Sequence, residues 1–198
     1  QLSDGCVIAA VTDGMGGHKG GQHASTVTVK ELERILSKEM FTKLNEEDIV
    51  VISIDYRFEE IKEDVVEAYK KIINRNKKLN LIFIDQTPYV INKKRNFNNV
   101  LCKKTVLRPY TNEEECVSLV SKKELIKRKS KTTEYLINLS KIDNVHYFDP
   151  FNSLCPEEEC SNYRGDFFIF KDSDNLTKKG SLLLEDDFKN KLQIIWGL

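Results

Sequence analysis

Short apolar runs alternate with longer amphipathic stretches along this chain. Residues 6–11 form a continuous apolar run, and residues 49–54 (IVVISI) and 79–84 (LNLIFI) form two more. Residues 145–148 and 167–170 are shorter runs of the same kind. Each of the first four is short enough for a strand, and none alternates strictly with polar residues, which is how strands buried on both faces read. Between them, apolar residues recur at helical spacing. Residues 22–40 predict one helix, and Ile61, Val65, Ala68, Tyr69 and Ile72 mark a second over 58–74. Leu125, Tyr135, Leu136 and Leu139 mark a third over 121–140, and Thr177 is placed to cap a last helix over 178–192. Residues 92–112 are polar and read as an insertion or irregular loop.

Strand and helix alternating in this way predict one α/β domain with a mostly parallel sheet covered on both faces. The 198 residues suffice for one such domain. Lys and Arg total 31 against 31 Asp and Glu, so the chain carries no broad positive field and no nucleic-acid partner is expected. The Lys-rich stretch 122–131 (KKELIKRKSK) reads as a solvated helix face balanced by Glu113–Glu115 and Glu157–Glu159, the other reading being contact with acidic lipid or phosphate. No apolar run approaches the roughly 18–20 residues that span a bilayer, and a soluble domain is expected. The chain begins at Gln1 without a leader-like segment, so it reads as an excerpt.

The five cysteines, Cys6, Cys102, Cys116, Cys155 and Cys160, show neither paired C-x-x-C spacing nor nearby histidines. Cys155 and Cys160 bound a short loop and are candidates for a disulfide, which would imply an oxidising compartment. Cys102 and Cys116 are a second possible pair, and Cys6 reads as a small buried hydrophobe. In open α/β sheets, ligands bind beyond the carboxyl ends of the strands. That rule selects residues 12–18, 55–57, 85–88 and 149–152, and the stretch before the last helix, 172–175, joins them. His18 and His23 read as solvated, and His146 as a core or rim histidine.

From Ile49 onward the chain resembles the SGNH-hydrolase domain attached to membrane acyltransferases that acetylate surface sugars. The resemblance rests on "DIVVISIDYRF", "IKEDVVEAYKKIINRNKK", "LNLIFIDQTPYV", "VHYFDPFNSLCPEEEC" and "FIFKDSDNLTKKGSLLLEDDF". It implies a three-layer α/β/α fold of the SGNH or flavodoxin-like type, a carbohydrate or acyl-ester substrate, no cofactor, a Cys155–Cys160 bridge and an extracytoplasmic location. It also implies a parent membrane acyltransferase domain beyond this chain. The family's Asp-x-x-His-Leu-Ser/Thr supplies an Asp that orients a general-base His toward a serine after the first strand. Here Asp172 stands in the Asp slot and Asn175 in the His slot. An amide cannot take and return a proton near neutral pH. The family's Gly-Asp-Ser has its counterpart in Thr12-Asp13-Gly14, which puts Gly14 in the nucleophile slot. Both partners are therefore expected to be missing, and Asp172 reads equally well as a loop or capping carboxylate.

"VIAAVTDGMGGHKGGQHAS" is similar to a different pattern, the Asp-Gly-x-Gly-Gly stretch of metal-dependent type-2C Ser/Thr protein phosphatases. That resemblance implies Asp13 and the Gly14 carbonyl as ligands to Mg²⁺ or Mn²⁺. The other reading of the loop is a strand-to-helix turn whose N–H groups, at Gly16, Gly17 and Gly20, hold an anion. The expected division is a segment over 1–40, which is either phosphatase-like or the first βα unit of the same sheet, followed by an SGNH-like domain over 41–198. Three function classes follow: a catalytically degenerate acyl-ester hydrolase or O-acyltransferase, a phosphatase fragment, and a non-enzymatic binding or structural module.

Overall fold

The computed structural model describes residues 7–12, 48–54, 63–75, 77–88, 90, 117–171 and 175–197. Its strands and helices are β1 (Val7–Thr12), β2 (Ile49–Ile54), α1 (Glu63–Arg75), β3 (Asn80–Ile84), β4 (Leu119–Ser121), α2 (Lys122–Leu139) and β5 (Val145–Phe148). After these come α3 (Phe151–Leu154), β6 (Glu159–Ser161), β7 (Tyr163–Arg164), β8 (Phe167–Phe168), α4 (Lys178–Leu182) and α5 (Glu185–Trp196). Two compact units are formed. One comprises Gln1–Gln86, Lys129–Asp149 and Ile195–Leu198, and the other Thr87–Arg128 and Pro150–Ile194.

The first unit holds a four-stranded sheet in the order β1-β2-β3-β5, every neighbouring pair parallel. These are the four apolar runs expected to form one parallel sheet. Register places Val50 beside Leu81 and Ile52 beside Phe83, with Val145 and Tyr147 next in line. That face packs on Tyr69, Ile72 and Ile73 of α1 and on Leu136 and Leu139 of α2. The Tyr69 and Phe83 rings meet edge to face at 5.0 Å between centroids. Both helices fall on one face because successive parallel crossovers in one direction are right-handed. The alternate residues Ile49, Val51, Ile82 and Phe148 are buried too, so these strands are covered on both sides.

The second unit is built from shorter pieces around Phe151, Leu154, Ile169 and Phe170. β4 pairs antiparallel with β6, and β7 with β8 through a turn at Gly165, whose φ of +60 favours glycine. The run expected over 167–170 is therefore shorter than a full strand: β8 ends at Phe168, and Phe170 bridges to Leu176. Cys155 and Cys160 are joined by a disulfide, as expected, with Cα atoms 4.9 Å apart. Replacing both cysteines with serine should lower stability by about 2 kcal/mol, the loop-closure contribution of so short a ring, measurable by urea denaturation without reductant. The expected pair Cys102–Cys116, Cys6, and the helix over 22–40 lie outside the described residues.

Thr177 caps α4 as expected, its Oγ1 accepting from the Gly180 N–H at 2.9 Å. The single helix expected over 178–192 is instead two. Leu183 and Leu184 N–H groups bond three residues back, to the Gly180 and Ser181 carbonyls, which tightens and ends the first helix. Glu185, Asp186 and Asp187 then fill the first turn of α5, where carboxylates complement the helix dipole. Both leucines are thereby drawn against the second unit's core.

Candidate functional site

Parallel strands end together, and here they end on one edge. Thr12 lies beside Ile54, Ser53 beside Ile84, and Ile84 beside Phe148. The chain leaves this edge at residues 13, 55, 85 and 149. Of the stretches expected to carry chemistry, 85–88 and the start of 149–152 are described within or next to this sheet. Asp13, Gly14, Gly16, Gly17, Gly20 and Asp172 lie outside the described residues, as do His18 and His23.

What the edge does hold is a group of charges that the sequence reading did not predict. The Asp85 side chain has no solvent exposure and Lys129 is 8% exposed. Lys129 Nζ donates to Asp85 Oδ2 at 3.0 Å and to Asp149 Oδ1 at 2.7 Å. Asp85 Oδ2 also accepts from Thr133 Oγ1 and from Tyr147 OH, each at 2.7 Å. Its other oxygen accepts the Gln86 N–H at 2.8 Å. The backbone repeats the link, since the Asp85 N–H donates to the Phe148 carbonyl at 2.9 Å. One ammonium thus stands between two carboxylates, each the first residue beyond its strand.

This corrects the reading of 122–131 as a wholly solvated face. Buried positions on α2 are Leu125, Lys129, Thr132, Leu136 and Leu139, a 4-3-4-3 spacing that puts Lys129 in the inward stripe. That spacing was the available signal. Lys129 sits four residues after a buried leucine and seven before another. The outward face is charged as expected, with Arg128 paired to Glu124.

Burial first, then the negative charge of Asp85 and the hydrogen bond to it, raise the Tyr147 phenol well above its ordinary value; Asp149 adds to this and Thr133 opposes it. Tyr135 on α2 is raised to about 12 by burial and then by Glu67. A phenol whose folded value is raised contributes stability that is complete below the unfolded value of about 10 and is lost as pH climbs toward the folded one. Stability should therefore decline between about pH 10 and 12. Tyr135→Phe should flatten part of that decline. It should do so without loss at neutral pH, because the buried Tyr135 hydroxyl has no hydrogen-bond partner among the described residues. Urea midpoints at pH 8, 10 and 11.5 would check both.

Asn175 belongs to the second unit and is exposed. Its carbonyl accepts the Lys171 N–H at 2.6 Å, and the Phe170–Leu176 bridge closes the loop around it. Thr177 anchors the far end, its N–H on the Ile169 carbonyl and its hydroxyl on the Phe168 carbonyl. The Gly180 Cα faces the Ile169 carbonyl so closely that a Cβ would lie 2.0 Å from the oxygen. His146 is half-buried, its Nε2 2.9 Å from Asn80 Oδ1, a rim position. Among the described residues, no three His, Cys, Asp or Glu side chains gather as metal ligands.

Residues 21–190 match the family described as the SGNH domain fused to AT3 domains, and the chain belongs to that family. No curated protein matches it. A solved structure with the same fold is the periplasmic domain of a lipopolysaccharide acetyltransferase from Salmonella ser. Paratyphi A. The two share 21% identity with a TM-score of 0.50, over 88% of this chain and 64% of that one. The chain thus spans a little under two thirds of its structural neighbour. None of these comparisons supports the type-2C phosphatase resemblance, and β1 is a strand of the parallel sheet.

Proposed function

We propose that this chain is an SGNH-type acyl-ester domain that works on acylated carbohydrate outside the cytoplasm and has lost its own catalytic pair. The observation that carries the proposal is Asn175. It lies inside the family match, two residues before the Thr177 cap, and on the sequence resemblance it takes the place of the general-base histidine. The same reading assigns the nucleophile slot to Gly14. Thr12 ends its strand on the same edge as β2, β3 and β5, and Thr12-Asp13-Gly14 offers no serine there. The family match begins at residue 21, behind that tripeptide.

Pairing of β1 with β2 supports reading residues 1–40 as the first βα unit of the sheet. The disulfide, and a structural neighbour that is a periplasmic domain, favour an extracytoplasmic site of action. No described helix is long and apolar enough to cross a membrane. The family description, an SGNH domain fused to AT3 domains, supports an AT3 membrane acyltransferase domain as its partner. Hydrolysis of p-nitrophenyl acetate by the purified chain tests the reading. A background rate is expected. Turnover abolished by Asp172→Ala would reveal a live site and overturn the degeneracy.

A further inference from the structure

The inward stripe of α2 is apolar except at Lys129 and Thr132, and the charged exception coincides with the carboxyl edge of the sheet. A buried ion group of this kind is commonly no more stabilising than apolar residues of the same volume. Departures from an otherwise consistent pattern concentrate where a fold serves a site. We propose that Lys129 is a positioning residue, a clamp whose ammonium holds the segments leaving β3 and β5 in fixed relation at the ligand edge.

The geometry carries this in three respects. Lys129 binds the first residue beyond each of two adjacent strands, at 3.0 and 2.7 Å. The shared oxygen of Asp85 is fixed by two further hydroxyl donors, one from α2 and one from β5, so it cannot turn away. Asp149 is 31% exposed, so the clamp runs from a closed interior to the accessible rim. The inference rests on the acyl-ester reading only in naming the edge as the ligand crevice; the clamp itself does not depend on it.

Hydrogen exchange followed residue by residue decides the question without any activity. Asp149→Asn removes one arm and leaves the buried pair intact. It should speed exchange at Asp149 and Phe151 by about tenfold or more, leaving Gln86 and the amides of Val50–Ile52 unchanged. The paired variant Lys129→Met, Asp85→Asn removes the charges together, which commonly preserves stability. Its urea midpoint should match wild type while the amides of both Gln86 and Asp149 exchange faster. Wild-type exchange at these amides in both variants would overturn the clamp and reduce the group to packing. A second arm places the paired change in the background of Asn175→His with Gly14→Ser. Here kcat should fall about tenfold or more, with KM less affected. If that background shows no turnover, the functional reading fails, and the exchange result still judges the clamp.

Discussion

Asp85→Ala should destabilise the chain by about 3–5 kcal/mol, the usual loss when one member of a buried charge pair is removed. The carboxylate accepts from Lys129, Thr133, Tyr147 and the Gln86 N–H, and has no exposure of its own. Alanine strands an ammonium that is 8% exposed, with Asp149 as its remaining partner in this group. It also deprives two hydroxyls and one N–H of their carboxylate acceptor. Urea denaturation at pH 7 measures the loss. Asp149→Ala makes the control: that carboxylate is partly solvated and contributes one of the two salt bridges, so the same experiment should show a clearly smaller effect. Equal losses for the two would mean that burial is not what sets the strength of this group.

The parallel sheet was legible because its strands are covered on both faces. IVVISI and LNLIFI read as unbroken apolar runs, and a helix lies between β2 and β3 and another between β3 and β5. The second unit was not legible for the converse reason. β4 and β6 are three residues long, too short to show a period, and the strands of the β7–β8 hairpin are shorter still. Lys129 was hidden by its neighbours: among KKELIKRKSK one lysine looks like any other, and only the spacing from Leu125 to Leu136 distinguishes it. The break in the last helix lay in its composition, three leucines running into three acids, but the helical period alone passes over it. Cys155–Cys160 was readable from spacing and resemblance because five residues of separation leave little freedom. Asn175 was readable only against a family pattern, since an exposed asparagine in a loop has no physical signature of its own.

Catalysis offers the largest effect. On the proposed reading, which puts the Asn175 amide in the base slot and Gly14 in the nucleophile slot, wild-type esterase turnover on acetyl esters should sit near background. Members of a nucleophile–base unit are non-additive, so removing one can lose as much as removing all. Asn175→His alone should recover little, because an imidazole without a serine has no proton to take. Gly14→Ser alone should recover little, because a hydroxyl without a base stays protonated and weakly nucleophilic. If residues 14 and 175 serve one bound ester, the two together should exceed the sum of the singles by about a hundredfold or more, within the range that general-base assistance supplies. The described ends of the loop that carries residue 175 are joined by the Phe170–Leu176 bridge and tied by Thr177 to the Phe168 carbonyl. Gly180→Val in the double variant should then abolish the gain, since its Cβ would drive against the Ile169 carbonyl and displace that loop. A p-nitrophenyl acetate series over wild type, both singles, the double and the triple reads all five. Additive singles would show that residues 14 and 175 do not act on one bound ester, and wild-type turnover indifferent to Asp172→Ala would put the chemistry elsewhere on the chain.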